Sequence, residues 1–363
     1  MKKAIFGIFL IFLLSFGAGA VPSVSARSAI LIEANTGQVL FEKNADEELP
    51  MASVTKMMTA LLVLERVPDL SELVTVSESA VRTEGSALYL KPGEQLSVSD
   101  LLYGLMLESG NDAANLLAEY VAGDNESFAA LMTERARALG ATHTVFQNPS
   151  GLPADGHYST ARDLALIAKA ALQNETFRQI VSTERATIEA TDQYGVRYLK
   201  NHNKLLNLYD GAIGVKTGFT KKAGRCLVSA AERNGIRLIA VTLNAGDDWN
   251  DHIKLFDFGF PRVTGVGEAI PIPKSIPLVG GTESTAPLQC DLSRAVIVDG
   301  EMKFSVELPR FLYAGGQTGT QVGVVHIETG GATQQFPITL AADTPIKVVK
   351  KSFFEKLFEF FQK

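Results

Sequence analysis

The 363-residue chain has only two cysteines, Cys226 and Cys290. They fall in different predicted domains, so we expect two separate buried thiols rather than a disulfide. No cysteine pair has metal-ligand spacing, and the five histidines form no His-Glu-x-x-His pattern. These absences argue against a metalloenzyme, and we expect neither a metal ion nor another cofactor.

The chain also lacks an excess of positive charge. Its 34 Lys and Arg are outnumbered by 40 Asp and Glu, which gives a formal net charge of -6. A nucleic-acid-binding protein needs a basic face, so this class of partner is excluded. With 46% hydrophobic residues the chain can bury a large core, and its length predicts two domains.

The N-terminus is typical of an export signal. Lys2 and Lys3 precede an apolar run over residues 4–16 that is too short for a comfortable membrane span. Small residues offer cleavage after Ala20 or after Ala26. The site after Ala26 lies beyond Pro22, which would end the signal helix ahead of the signal-peptidase cleavage site. We therefore favour cleavage after Ala26 and predict a signal peptide over residues 1–26.

Hydrophobic periodicity predicts a mixed α/β (α+β) domain over residues 27–261. A hairpin around Asn35-Thr36-Gly37 opens it, and five segments with helical spacing lie between residues 54 and 172. Strand character returns from Ala212 to Leu243, and a closing helix follows over residues 251–258. The strands at the two ends should form one antiparallel sheet of about five strands around a helical block.

The C-terminal third has a different sequence pattern, with short β-rich runs in place of helical spacing. Short β-rich runs divided by Gly and Pro predict a small all-β domain, a β-sandwich, over residues 262–345. In the last segment, residues 346–363, five Phe and Leu357 fall within an arc of about 160° on a helical wheel. Such a helix could pack on the β domain, but flanking Lys350 and Lys351 favour an anchor in a membrane interface.

Three short motifs occur once each: Ser53-Val54-Thr55-Lys56, Ser109-Gly110-Asn111 and Lys216-Thr217-Gly218. Each motif alone is weak, because a Ser and a Lys three residues apart are usually a helix cap and a solvated charge. Their order on a predicted helix start, a loop and a strand makes the combination specific, and it matches the motif set of penicillin-binding proteins and class A β-lactamases.

The first motif suits nucleophilic catalysis. Ser53 and Lys56 lie one helical turn apart, so the Lys56 amine can take the proton of the Ser53 hydroxyl. Lysine serves as a base only with a lowered pKa; the helix start and the second cation, Lys216, should lower it. The backbone amides of Ser53 and Phe219 are the expected oxyanion donors.

Nearly the whole chain resembles the low-molecular-weight penicillin-binding proteins of the D-alanyl-D-alanine carboxypeptidase type, and it looks similar to those of spore-forming Gram-positive bacteria. The resemblance is carried by the segments around the motifs and between them, 49–59, 107–113, 148–152, 156–161 and 214–220. It implies a β-lactamase/transpeptidase-like domain, followed by a β domain and a terminal amphipathic anchor. It also implies an exported enzyme on the outer face of the cytoplasmic membrane.

The implied activity is removal of the last D-alanine from peptidoglycan stem peptides ending in D-Ala-D-Ala, with β-lactam antibiotics as covalent inhibitors. In this interpretation Ser109 fits a proton relay and Asn111 a clamp on a substrate amide. Lys216 and Thr217 would hold the substrate carboxylate, and Gly218 would let the substrate backbone approach the strand. His157 borders the site in the family, and we interpret it as a residue that orders a loop.

Three alternatives stay open. A class A β-lactamase would need a Glu-x-x-Leu-Asn loop, and no Glu between Ser109 and Lys216 has that context, so deacylation of penicillin should be slow. A transpeptidase differs only in its acceptor. An inactive membrane-bound scaffold should have lost at least one motif, and all three are intact.

Overall fold

The computed structural model describes residues 4–6, 20–266, 270–299, 302–329 and 331–347. It divides into two compact units, Phe16–Thr264 and a second formed by Met1–Ser15 with Gly265–Lys363. Strand β1 (Ala4–Phe6) belongs to the second unit. Most of the predicted signal peptide, and the predicted amphipathic helix from residue 348 onward, lie outside the described residues.

The larger unit has the predicted mixed architecture. Its elements are β2 (Ser28–Glu33), β3 (Val39–Lys43), a 3-10 turn (Ala52–Thr55), α1 (Lys56–Arg66), β4 (Leu73–Thr75), β5 (Gln95–Ser97), α2 (Val98–Tyr103), a π-helical turn (Gly104–Glu108), α3 (Asn111–Ala122), α4 (Asn125–Ala138), α5 (Ala161–Ala171), α6 (Glu175–Ser182), β6 (Arg185–Ile188), β7 (Arg197–Lys200), α7 (Leu205–Leu208), β8 (Ala212–Thr220), β9 (Gly224–Arg233), β10 (Ile236–Ala245) and α8 (Asp248–Gly259).

Five of these strands form the predicted antiparallel sheet, in the order β3-β2-β10-β9-β8. The turns follow from the sequence. Gly37 has φ +77° between β2 and β3, and both Asn234 and Gly235 have positive φ between β9 and β10, as a two-residue hairpin requires. Because β8 is last in the strand order, it is an edge strand, and one of its sides is open to another extended chain.

The core lies on both faces of the sheet. Ile30 and Ile32 of β2 pack with the helical block on one face. On the other face α8 lies so close that a Cβ on its Gly259 would be 2.7 Å from both Leu31 and Leu238. Each fully buried aliphatic side chain of this kind contributes about 1.5 to 3 kcal/mol to folding. The sheet is thus packed on both faces.

The sequence analysis missed several short elements. Helix α6, the hairpin of β6 and β7, and the hairpin of β4 and β5 were not predicted. Strands of three or four residues show too few alternations to stand out from a loop. The hairpin of β6 and β7 nevertheless bears on the site, because β7 carries the buried Arg197.

Residues just before β2 are part of the larger unit. Val24 and Ala26 are buried, and the buried carboxylate of Asp251 in α8 accepts bonds from Ser25 N, Ser25 Oγ and Ala26 N at 2.8, 2.7 and 3.0 Å. The Lys43 ammonium donates to the carbonyls of Val24 and Ala26 at 3.1 and 2.6 Å. Part of the predicted signal segment is therefore built into the folded unit.

The smaller unit is all-β in its described part, as expected. After the 3-10 turn Phe260–Arg262 and β11 (Val263–Gly265), its strands are β12 (Ser275–Val279), β13 (Thr285–Gln289), β14 (Val296–Val298), β15 (Lys303–Leu308), β16 (Leu312–Tyr313), β17 (Gln321–Thr329) and β18 (Ala332–Leu340). Seven strands form one sheet in the order β1-β15-β17-β18-β13-β12-β16. Its core is centred on Val325, Ile327 and Ile338, all with 0% exposure.

Both cysteines are free thiols; Cys226 is buried, whereas Cys290 is only partly buried, less than we expected. Burial raises the pKa of Cys226 to about 11, so it is an inert core thiol. No helix in the described ranges is both long enough and apolar enough to cross a bilayer.

Candidate active site

The fold brings the three motifs together around one cavity of about 530 Å³. Ser53 lies in the 3-10 turn before α1, Ser109 follows the π-helical turn, and Thr217 to Phe219 lie on edge strand β8. The cavity is lined by Ser53, Ser86, Ser109, His202, Thr217, Gly218, Phe219, Arg225, Asp248 and Trp249. Lys56, Asn111 and Lys216 are buried directly behind these residues.

The Lys56 amine is oriented toward Ser53. Lys56 Nζ lies 2.7 Å from Asn111 Oδ1 and 2.6 Å from the Ser150 carbonyl, and both of these oxygens can only accept. The third neighbour is Ser53 Oγ at 3.1 Å, a hydroxyl that can also donate. A neutral amine has two N–H groups and one lone pair. With its two N–H groups on the carbonyl oxygens, the lone pair faces the Ser53 hydroxyl.

The environment favours the neutral form of Lys56. Complete burial lowers the pKa of Lys56 well below the ordinary lysine value, and the charge of Lys216 lowers it further, against an opposing effect of Asp112. From the sequence we expected the helix start and Lys216 to lower this pKa. Burial is the larger cause, and it could not be read from the motif because it depends on the whole helical block.

Lys216 is the second buried cation. Burial lowers the pKa of Lys216 to about 7, while the carboxylate of Glu108 acts to raise it. Its Nζ donates to the Thr217 carbonyl at 3.1 Å. Lys216 therefore retains part of its charge at neutral pH.

Ser109 stands out because its hydroxyl has no partner. The residue is 5% exposed, and its Oγ is buried without a hydrogen bond to any described residue. The π-helical turn ends at Ser109, which adopts a left-handed conformation with φ 63° and ψ 31°. An unsatisfied buried hydroxyl beside a cavity is costly in a folded protein. Such a group suits contact with a ligand or a transferred proton.

Asn111 is engaged by the protein itself. Besides accepting from Lys56, its amide donates from Nδ2 to the Glu84 carbonyl at 2.6 Å, and its backbone N–H donates to Ser86 O at 2.8 Å. The sequence did not indicate this contact with Lys56. The contact with a substrate amide stays a prediction.

Gly218 sets the distance between β8 and the nucleophile. A Cβ at this position would lie 3.0 Å from Ser53 N and 3.1 Å from Val54 N, closer than side chains normally approach. With any other residue here, the strand or the Ser53 turn would have to move by a few tenths of an ångström. The next side chain, Phe219, is 66% exposed, so it flanks the open edge of β8 rather than filling the core.

His157 supports the turn that carries Ser53. Its Nδ1 accepts from Gln147 N at 3.0 Å, so the ring proton is on Nε2, which donates to Thr55 Oγ1 at 2.9 Å. Thr55 in turn donates to the Ala52 carbonyl. Burial lowers the pKa of His157 to about 4, so the ring is neutral at physiological pH. These contacts agree with the predicted ordering role.

The sequence analysis missed one side of the cavity. Arg225 donates from Nε and Nη2 to Asp248 Oδ1 at 2.9 and 2.6 Å, and its guanidinium lies 5.9 Å from the Trp249 ring. His202 Nε2 lies 3.3 Å from the Glu108 carboxylate. None of these residues belongs to a motif, and only the packing of α8 and the segment after β7 brings them here. In the described part of the chain, no cluster of His, Cys, Asp and Glu could hold a metal ion.

A serine hydroxyl facing a buried lysine of lowered pKa at a helix start is the nucleophile and base arrangement of Ser-Lys acyl-transfer enzymes. The family model described as D-alanyl-D-alanine carboxypeptidase, peptidase family S11, matches residues 17–247. This match covers more than half of the sequence, so the chain belongs to the D-alanyl-D-alanine carboxypeptidase family.

Individual relatives agree. D-alanyl-D-alanine carboxypeptidase DacF of Bacillus subtilis (strain 168) is 41% identical over 245 residues, which cover 65% of this chain and 62% of DacF. The chain thus spans less than two thirds of that relative. DacA of Escherichia coli (strain K12) is 34% identical over 367 residues, covering 94% of this chain and 88% of DacA.

Solved structures share the fold. The Streptomyces K15 DD-transpeptidase has a TM-score of 0.63 at 35% identity, over 66% of this chain and 98% of its own. The D-alanyl-D-alanine carboxypeptidase of Mycobacterium tuberculosis H37Rv has a TM-score of 0.63 at 36% identity, over 67% of this chain and 94% of its own. The shared fold is that of penicillin-binding DD-peptidases.

Proposed function

We propose that this protein is a serine D-Ala-D-Ala carboxypeptidase that removes the terminal D-alanine from peptidoglycan pentapeptides. The observation that carries the proposal is the orientation of Lys56, whose two carbonyl contacts leave its lone pair for Ser53 Oγ. The relative DacA, a D-alanyl-D-alanine carboxypeptidase aligned over 94% of this chain, supports the same activity.

In the acylation step, Ser53 Oγ attacks the carbonyl carbon of the penultimate D-alanine and its proton passes to Lys56 Nζ. The amides of Ser53 and Phe219 stabilise the tetrahedral oxyanion. Collapse breaks the C–N bond, and the leaving amine takes a proton delivered from Lys56 through Ser109 Oγ. Free D-alanine departs, and the shortened peptide is an ester on Ser53.

Water completes the cycle. It attacks the ester carbonyl and gives up a proton to Lys56 Nζ, and Lys56 returns a proton to Ser53 Oγ as the ester C–O bond breaks. Penicillin follows the same first step and opens its β-lactam ring onto Ser53. The chain lacks the glutamate context of class A β-lactamases between Ser109 and Lys216, so the penicillin ester should persist.

The edge of β8 provides the docking surface. An extended peptide can pair with an exposed edge strand through main-chain hydrogen bonds. Thr217 lines the cavity and Lys216 is buried behind it, so the two can hold the terminal carboxylate. Gly218 keeps the strand at the distance from Ser53 that the reaction needs.

The protein is proposed to act outside the cytoplasmic membrane, with its leader removed after Ala20 rather than after Ala26, the site that the sequence analysis favoured. Cleavage after Ala26 would delete Ser25 and Ala26, which satisfy the buried Asp251 carboxylate, and Val24, whose side chain is buried. N-terminal sequencing of the exported protein should read Val21-Pro22-Ser23. A start at Arg27 would contradict this site.

The amphipathic segment 346–363 is proposed to hold the enzyme at the membrane surface. Its segregated Phe residues and flanking Lys350 and Lys351 favour an interfacial helix. A chain truncated after Pro345 should be released from membranes to the soluble fraction. Continued sedimentation of the truncated chain with membranes would refute the anchor.

Mass spectrometry of a pentapeptide ending in D-Ala-D-Ala tests the activity. The purified protein should release one D-alanine and leave a tetrapeptide, whereas Ser53→Ala should release none. Absence of D-alanine release by the folded wild type, or equal release by Ser53→Ala, would overturn the proposed function.

A further inference from the structure

A buried ion pair lies behind the site and outside all three motifs. Arg197 on β7 donates from Nη1 and Nη2 to the two carboxylate oxygens of Glu94 at 2.7 and 2.8 Å. The side chains of Arg197 and Glu94 are 5% and 0% exposed. Burying two charges costs several kcal/mol of desolvation, so such a pair does not by itself argue for stability. Its other contacts suggest what it does.

The pair fixes one loop, residues 84–94. Arg197 Nε donates to the Leu88 carbonyl at 3.1 Å, and the Glu94 carboxylate accepts from Lys91 N at 3.1 Å and from Thr191 Oγ1 at 2.8 Å. The Tyr194 ring lies 4.0 Å from the guanidinium carbon of Arg197. The further hydrogen bonds of the pair thus go to the loop and to the segment before β7.

The opposite side of the same loop touches the catalytic machinery. Leu88 N and Leu90 N donate to the two oxygens of Asp112 at 2.9 and 3.1 Å. Glu84 O accepts from Asn111 Nδ2, and Ser86 O accepts from Asn111 N. The loop therefore orients the Asn111 amide, whose Oδ1 holds Lys56, and positions the Asp112 charge that acts on Lys56.

We infer that Glu94 and Arg197 are positioning residues for acylation: through loop 84–94 they aim the Asn111 amide, and with it the Lys56 amine, at Ser53. Neither residue is among those that line the cavity, so they act through the loop. The inference rests on the proposed function and names a part of its machinery that no motif marks.

The test measures the acylation rate constant and the binding constant for fluorescent penicillin separately, across pH, in folded variants. Arg197→Met removes the guanidinium, and Arg197→Lys keeps a positive charge at this position. Glu94→Gln keeps the shape of the Glu94 side chain without its charge. The matched control is Glu232→Gln, which breaks the Arg237–Glu232 pair on the turn between β9 and β10, away from the cavity.

Arg197→Met and Glu94→Gln should lower the acylation rate constant about 10- to 100-fold with little change in penicillin binding, because misplacement of a reacting group acts on the chemical step. Arg197→Lys should recover part of the rate. The pH midpoint of acylation should fall, since Lys56 loses the Asn111 oxygen and the Asp112 charge that favour its protonated form. Glu232→Gln should behave as wild type.

A purely structural pair would give another result. Thermal stability would fall, while the acylation rate constant of folded Arg197→Lys and Glu94→Gln would stay within about twofold of wild type at an unchanged pH midpoint; that outcome overturns the inference. Because Arg197→Lys and Glu94→Gln are conservative, they decide the question even where Arg197→Met does not fold. Failure of the wild type to react with penicillin would instead count against the proposed function.

Discussion

Acid should destabilise this protein through His157, and the size of the effect follows from its surroundings. His157 is 6% exposed, and burial lowers its pKa to about 4 from 6.5. The unfolded chain therefore takes up a proton near pH 6.5, but the folded chain only near pH 4. The stability due to the neutral ring is complete above pH 6.5 and is lost as pH falls toward 4.

The linkage between proton binding and folding gives the size of this loss of stability. Between pH 7 and pH 5, pKa values of about 6.5 unfolded and about 4 folded imply a loss of about 2 kcal/mol from this one residue. The variant His157→Gln keeps an amide near Gln147 and Thr55 but cannot be protonated. Its stability at pH 7 should be lower, yet it should lose about 2 kcal/mol less than wild type on going to pH 5.

Urea unfolding of both proteins at pH 7 and pH 5 measures this double difference. The second buried histidine, His252, whose pKa burial lowers to about 3, contributes equally to both proteins and cancels. If the stability difference between wild type and His157→Gln is the same at both pH values to within about 0.5 kcal/mol, the linkage argument is wrong.

Four further substitutions separate chemistry from folding. Lys56→Met should lower penicillin acylation by about 10²- to 10⁴-fold, the usual contribution of a general base, with an unchanged circular dichroism spectrum. Gly218→Ala places a Cβ 3.0 Å from Ser53 N, so β8 must shift by a few tenths of an ångström and acylation should fall about tenfold or more in stopped-flow labelling. Ser109→Ala removes a buried hydroxyl that has no partner among the described residues, so urea stability should change by less than about 0.5 kcal/mol while D-alanine release falls about 100-fold. Asp251→Ala abolishes the bonds to Ser25 and Ala26 and should cost about 1 to 3 kcal/mol of unfolding free energy without affecting acylation measured well below the melting temperature.

Each of these has a contradicting outcome. Wild-type labelling by Lys56→Met would remove the lysine from the mechanism, and full activity of Gly218→Ala would show that the strand spacing is not critical. A Ser109→Ala protein that is fully active would deny the relay, and an Asp251→Ala protein of unchanged stability would deny that residues 24–26 belong to the folded unit.

Long local patterns allowed most of the fold to be predicted. Strand alternation and the Asn35-Thr36-Gly37 turn indicated the sheet, and apolar spacing indicated the long helices, because these signals act within a few residues. The short hairpin of β6 and β7 carries no such signal. Its Arg197 pairs with a residue 103 positions away, and only the folded chain brings the two together.

Some features of the site could likewise be predicted from local sequence, and others depend on the folded chain. The sequence was sufficient to identify Ser53, Lys56 and Ser109, because residue type and spacing define the motifs that contain them. The Ser150 carbonyl that holds Lys56 is a backbone group 94 positions away, and a backbone contact leaves no mark on residue type. Burial of Lys56, the main cause of its lowered pKa, is likewise a property of the packed helical block.

The identity of the acylated residue tests the central claim most directly. The full chain is incubated with benzylpenicillin, digested, and analysed by tandem mass spectrometry, with Ser53→Ala treated in parallel. We expect one stoichiometric penicilloyl adduct on the peptide that contains Ser53 and none in the variant. An adduct on any other residue, or an equal adduct in Ser53→Ala, would contradict that claim.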